Sequence, residues 1–266
     1  MSQLFRKLKQ QYKSNVIQRR TQELAQQLTK VLPQYEGEIP VLVVCYNNGV
    51  YVRNTVWQLE QYGIRPIILD NNSTDTITKL ILEELTLLEK ANVLYSTYNL
   101  GHLVGFFEPI YAQLPPIFAY TDPDLQFNTA LPENFLEILQ SLTEEFQVFK
   151  AGFALDLLEG EEIITHTVLE EKQKPMPYKK RFGVRKWEQQ FWRKPIIHPH
   201  LELYAADIDT TFAVYNKKYY LGKFMDAIRV AGAYSSIHLP WFPKRDILSE
   251  ADKEAYAKGN KSSNWT

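Results

Sequence analysis

Between residues 41 and 124 the chain alternates apolar runs with helix-patterned stretches, and each apolar run ends in polar residues. This rhythm constrains the fold more than any other feature. Residues 41–46, 66–70, 92–96 and 117–121 have the length and composition of buried strands. Residues 50–62, 74–90 and 101–114 between them carry helical patterning, with Asp75 near the start of the second. Strands joined by helices pair in parallel, with helices on both faces of the sheet. The expected class is therefore α/β, with a mostly parallel central sheet. Ligands gather at the carboxyl ends of such strands. Asn47, Asn48, Asp70, Asn71, Asn72, Asn99, Asp122 and Asp124 all fall at those ends.

The flanks are less regular. Residues 2–32 read as one helix, with Phe5, Leu8, Tyr12, Val16, Leu24, Leu28 and Val31 at roughly helical spacing. Its other face carries Arg6, Lys7, Lys9, Lys13, Arg19, Arg20 and Lys30 against the single acid Glu23. Such a helix packs on the body of the protein or on a second copy, or touches anionic lipid. Residues 33–40 form a breaker-rich connection. Residues 131–142 pattern as helix and 147–155 as extended chain. A charged loop is expected at 159–181, where Pro175 and Pro177 lie, then a short helix at 187–192. Strands are expected at 204–215 and 228–233, ahead of a polar end at 258–266.

Thirty basic residues nearly balance thirty-one acidic ones, which argues against nucleic acid as a partner. The lone Cys45 excludes an internal disulfide, and its apolar surroundings suit a packed thiol. Arg6, Lys7 and Lys9 interrupt the first apolar run, so a signal peptide is not expected. No run approaches the roughly 20 apolar residues of a membrane span. The expected location is cytoplasmic, with peripheral membrane contact or a homodimer open through the first helix. The glycosylation-like triplets at Asn71, Asn72 and Asn264 read as chance matches.

Two motifs carry chemistry. In Asp122-Pro123-Asp124, carboxylates at i and i+2 of an extended segment point the same way. They suit a hard divalent cation, Mn2+ or Mg2+, which also binds diphosphate oxygens. The competing reading is a simple turn. In Asp70-Asn71-Asn72-Ser73-Thr74, the strand-end carboxylate can accept from the N3–H of a uracil or thymine ring. The competing reading is capping of the next helix by Ser73 or Thr74.

Val43-Val44-Cys45-Tyr46-Asn47-Asn48, Asp70-Asn71-Asn72-Ser73-Thr74, Asn99-Leu100-Gly101 and Asp122-Pro123-Asp124 occur in that order with fitting spacing. Together they resemble the nucleotide-sugar half of the GT-A glycosyltransferase fold, especially its family 2-like members. The resemblance implies a helical extension at 1–37 and a GT-A domain at 38–266, with a nucleotide-sugar half at 38–155 and an acceptor half at 156–266. It implies donor contacts from Cys45, Tyr46, Asn47, Asp70, Asn72, Asn99, Gly101, His102 and Asp122, and a metal on Asp122 and Asp124. His238, in Ser235-Ser236-Ile237-His238-Leu239-Pro240-Trp241, resembles the late histidine that completes the metal site in several such enzymes; a loop hydrogen bond is the alternative. His198-Pro199-His200 also looks ligand-like but sits among prolines.

Asp209 is the best candidate general base, because an acid beside a strand can be held against an acceptor hydroxyl. Asp207 and Glu188 stand behind it. Asp156, Trp187, Glu188 and Trp241 are candidates for the acceptor side, with Trp192 as a further stacking platform. The expected reaction moves a sugar from a nucleotide-sugar donor, a UDP-sugar by preference, to a hydroxyl of a glycan or glycoconjugate. Inversion is implied by the resemblance alone. Arg229 or Lys244 would join the metal in stabilising the leaving phosphate. A sugar nucleotidyltransferase is disfavoured, because Tyr46-Asn47-Asn48-Gly49-Val50 holds one glycine and no lysine. A non-catalytic carbohydrate- or partner-binding protein is the other alternative.

Overall fold

A computed structural model describes residues 2–164, 167–168 and 181–259 of this chain. The helices are α1 Ser2–Val31, α2 Gly49–Glu60, α3 Thr76–Leu87, α4 Glu108–Tyr111, α5 Phe135–Phe146, α6 Val184–Glu188 and α7 Glu250–Gly259. The strands are β1 Val41–Cys45, β2 Ile67–Asp70, β3 Asn92–Tyr95, β4 Ile117–Thr121, β5 Leu125–Gln126, β6 Lys150–Phe153 and β7 Thr167–Val168. They continue with β8 Arg181–Phe182, β9 Pro195–Ile196, β10 Leu203–Ala205, β11 Ala213–Asn216, β12 Ala227–Val230 and β13 Ile237–His238. Nine of them form one sheet in the order β3-β2-β1-β4-β11-β6-β12-β10-β9. All but β10 and β11 run the same way.

β1 explains the two-sided packing. All five of its residues are buried, as a parallel strand covered on both faces requires. Val41, Val43 and Cys45 join the core beneath α2, α3 and α5, while Leu42 and Val44 join the opposite core with α1. Leu24 and Leu28 of α1 are fully buried there, each stabilising the docked helix by about 2 kcal/mol. The second half of α1 thus packs on the body of the protein. The side chains of Phe5, Leu8 and Tyr12 lie outside the described residues, as do Pro175, Pro177 and the polar end from residue 260. Among the described residues no helix is long and apolar enough to cross a membrane.

Four local expectations need correction. The helix expected over 101–114 is broken: a 3-10 turn at Val104–Phe106 is followed by the short α4, with Phe107 extended and Pro109 in the first turn. Gly105 is pressed so close to the Tyr120 ring that an added Cβ would lie 2.6 Å from it. The helix expected from residue 131 starts at Phe135, after Pro132. The single strand expected over 204–215 is two strands, β10 and β11, far apart in the sheet. Residues 206–212 between them are released to form a loop at the strand ends. Finally, α3 is capped by Asp75, whose carboxylate accepts from Thr78 N at 2.7 Å, and not by Ser73 or Thr74.

β6 and β11 approach tightly through Gly152. A Cβ there would lie 2.3 Å from Phe212 O and 2.6 Å from the Ala213 Cβ, both in the sheet interior. Gly152→Ala should therefore destabilise the fold by about 2–3 kcal/mol. A fall in the urea midpoint at constant slope would report it; an unchanged midpoint would contradict this packing.

Candidate active site

The site grows from the end of β4. The backbone of Asp122 donates to Thr210 O at 2.9 Å, and the Thr210 hydroxyl donates to the Asp122 carboxylate. Thr55 Oγ1 fixes the next peptide by donating to Pro123 O at 2.5 Å. Asp124 then leads into β5, which pairs antiparallel with β13 so that His238 lies opposite Leu125. Leu239 N donates to Asp124 O at 2.9 Å. This small pairing carries a residue more than a hundred positions away to Asp124: His238 Nε2 is 3.4 Å from Asp124 Oδ2.

Electrostatics single out this corner. Burial pushes the Asp122 carboxyl well above its ordinary pKa, Asp124 adds to the rise, Thr210 opposes it, and Asp209 adds further. Burial lowers the His238 pKa, against Asp124 and Asp246, which favours neutral imidazole. Asp124 Oδ1 is buried with no hydrogen-bond donor among the described residues. Two crowded carboxylates, one orphaned oxygen and a neutral imidazole form a donor set of the right chemistry for a divalent cation. Among the described residues no three Asp, Glu, His or Cys side chains converge closely enough to hold a metal by themselves. A metal would draw further oxygens from a ligand such as a diphosphate.

Asp122, Asp124 and His238 line a cavity of about 230 Å³ with Trp187, Glu188, Phe191, Asp207, Asp209, Met225, Arg229 and Trp241. Asp209 is half exposed, with Oδ2 3.8 Å from His102 Nε2. The loop after β3 and the loop before β11 thus meet at this pair. Glu188 and Arg229 form a buried ion pair in the wall. Arg229 also donates to Asp207 O at 2.8 Å and lies over the Phe191 ring at 4.1 Å. Burial pushes Glu188 up to about 7, and the Arg229 charge pulls it back.

The donor-side residues lie at the ends of β1, β2 and β3. Cys45 and Asp70 are register partners, both buried. Burial raises the pKa of each, and the Asp70 carboxylate accepts from Ser73 N at 3.2 and 3.3 Å. Asn47, at a positive φ, accepts from Thr74 N and Asp75 N at 2.7 and 3.0 Å. Its side chain thus clamps two loops together. Tyr46 is half-buried, while Asn72, Asn99 and His102 are exposed. Asn99 accepts from Gly101 N at 2.9 Å, and Gly101 adopts φ +83°.

Several candidates are placed elsewhere. Asp156 accepts from Leu158 N at 2.9 Å and caps its own turn outside the cavity lining. Lys244 is exposed and pairs with Glu162 at 3.5 Å, away from the cavity. His198 pairs with Glu145 at 3.7 Å and accepts from Leu201 N, and His200 lies beside it. Trp192 stacks edge-on against Tyr204, also outside the lining. Conversely, Thr210, Phe191 and Met225 line the cavity without having been singled out by the sequence. Asn71, one of the strand-end polar residues, accepts from Leu100 N and donates to Gly101 O, tying the loop after β3 to β2.

Residues 41–212 match the family model described as Glycosyl transferase family 2. No curated protein matches the sequence. Among solved structures, the chain is similar to the mannosyltransferase PcManGT from Pyrobaculum calidifontis, solved with GDP-Man and Mn2+. That match has 11% identity and a TM-score of 0.46, over 92% of this chain and 72% of the other. TarS (residues 1–349) from S. aureus matches at 13% identity and TM-score 0.36, over 67% of this chain and 47% of that one. The 4-diphosphocytidyl-2C-methyl-D-erythritol synthase from Anaerococcus prevotii matches at 11% identity and TM-score 0.36, over 85% and 98%.

Proposed function

The chain belongs to glycosyl transferase family 2 and is a glycosyltransferase, and from that premise we propose a metal-dependent transfer from a nucleotide-sugar donor to a glycan or glycoconjugate hydroxyl. The observation that carries the reading is the convergence of Asp122, Asp124 and His238 on one cavity that also holds Asp209. Asp122 and Asp124, with His238 beside them, would hold the divalent cation. When bound, that cation supplies positive charge to the diphosphate as it becomes the leaving group.

The rest falls to the protein's own groups. The strand ends at Cys45, Tyr46 and Asp70 would take the nucleoside, with Asn72, Asn99, Gly101 and His102 along the donor. A uracil base is favoured, because the Asp70 carboxylate can accept its ring N–H. Trp187 would offer an aromatic face to the acceptor sugar, and Trp241, buried with its ring against His238, would back the cavity wall. Asp209 would take the acceptor hydroxyl's proton as that oxygen attacks the anomeric carbon opposite the departing UDP. Direct displacement of this kind inverts the anomeric centre. Arg229 is spent on Glu188 and Asp207, so its part is to shape the cavity wall.

A thermal-shift comparison of UDP, GDP, ADP, CDP and dTDP, each with and without Mn2+, tests the donor site. UDP with Mn2+ should raise the melting temperature by roughly 5–10 °C at a hundredfold excess over Kd, and UDP alone far less. The absence of a metal-dependent shift with every base would remove the donor-site reading.

A further inference from the structure

We propose that Lys150 is a positioning residue for this reaction: its buried side-chain nitrogen holds the Asp209 loop from beneath by donating to the Asp209 carbonyl. This rests on the reading of Asp209 as the general base.

Lys150 opens β6, where it pairs with Tyr215 of β11 on one side and Ala227 of β12 on the other. The side chain is fully buried. Its Nζ donates to Asp209 O at 3.1 Å, and Tyr215 Oη donates to the same oxygen at 3.2 Å. Both lone pairs of one carbonyl are thus taken by donors from the sheet interior. The Lys150 nitrogen also sits 3.8 Å from the centre of the Phe224 ring and 5.1 Å from that of Tyr215. Asp209, Asp207 and Asp226 act on it favourably at longer range, and Arg229 opposes them.

A lysine is a costly way to fill such a space. Burial lowers its pKa to about 7. Methionine would occupy a similar volume among Phe224 and Tyr215 without that penalty. What methionine cannot do is fix the Asp209 carbonyl, whose side chain stands over the cavity. The sign of the pH effect follows. Between about pH 7 and 10 the unfolded chain binds a proton at Lys150 that the folded chain has lost. This residue's share of stability therefore rises with pH across that window.

The test compares full-length wild type, K150M and Y215F by melting temperature and amide hydrogen exchange at pH 7. K150M should melt no lower than wild type, while amides in residues 207–211 exchange at least about tenfold faster. Y215F keeps the ring and loses one bond, so the same amides should exchange a few-fold faster. Y215F decides the matter if K150M does not fold. Unchanged exchange in the loop, or faster exchange throughout with a lower melting temperature, would overturn the proposal. A transfer assay adds the functional readout: K150M should lower kcat by roughly tenfold at unchanged KM, and an unchanged kcat would overturn the positioning role. Neither melting nor exchange uses substrate. A D209N enzyme with full transfer would therefore dismiss Asp209 as base without touching the pinning result.

Discussion

Asp124→Ala should abolish the Mn2+-dependent thermal shift with UDP and lower sugar transfer by roughly a thousandfold. The expectation comes from where this carboxylate sits. It is buried, one oxygen faces His238 at 3.4 Å, and the other has no donor among the described residues. Neither arrangement holds the fold together. The local backbone is fixed separately, by Leu239 N on Asp124 O and by the pairing of β5 with β13. Asp124→Ala should accordingly leave the ligand-free melting temperature almost unchanged or raise it, because it relieves repulsion on Asp122. Asp122→Ala is the less clean test, since it also removes the acceptor of the Thr210 hydroxyl and loosens the loop that bears Asp209. Asp124→Asn keeps the shape and removes the charge, and should behave like Asp124→Ala. A variant that kept the metal-dependent shift would show that these carboxylates do not hold the cation.

The first half of the molecule was legible because local pattern and tertiary role coincide there. Three of the four apolar runs bury both faces of a strand, the edge strand β3 burying only Leu94, and each run ends where the chain must turn polar. Asp70, Asp122 and Asp124 stand at such ends, so the fold places them almost without further information. The second half depends on pairings that no local pattern reveals. β11 enters the sheet antiparallel between β4 and β6, and β10 lies beyond β12. Their separation creates the loop of residues 206–212, which a continuous strand would have erased. His238 was legible through its resemblance to a late metal-site histidine, but its approach to Asp124 depends on the two-residue pairing of β13 with β5. Lys150 carries no signal at all: a lysine at a strand start reads as a surface residue. Asp156 and Lys244 misled for the opposite reason. Each has the right chemistry, and each is spent locally, on the Leu158 amide and on Glu162.

Asp209→Asn should reduce transfer by about a thousandfold while leaving UDP and Mn2+ binding intact. The substitution changes one oxygen to an amide nitrogen in a half-exposed side chain. Lys150 and Tyr215 grip the backbone carbonyl of Asp209, and neither grips its carboxylate. The loop should therefore stay in place, and the variant should melt close to wild type. That separation gives the kinetics their meaning: a loss confined to kcat would belong to proton removal, because donor binding and loop position are both preserved. The other acids on the cavity are weaker candidates. Glu188 is committed to Arg229 in a buried pair, and Asp122 is bound by Thr210 beside Asp124. Asp207 remains, with its backbone carbonyl held by Arg229 and its side chain exposed. Full transfer by Asp209→Asn, together with a large loss in Asp207→Asn at unchanged donor affinity, would move the base two residues along the same loop.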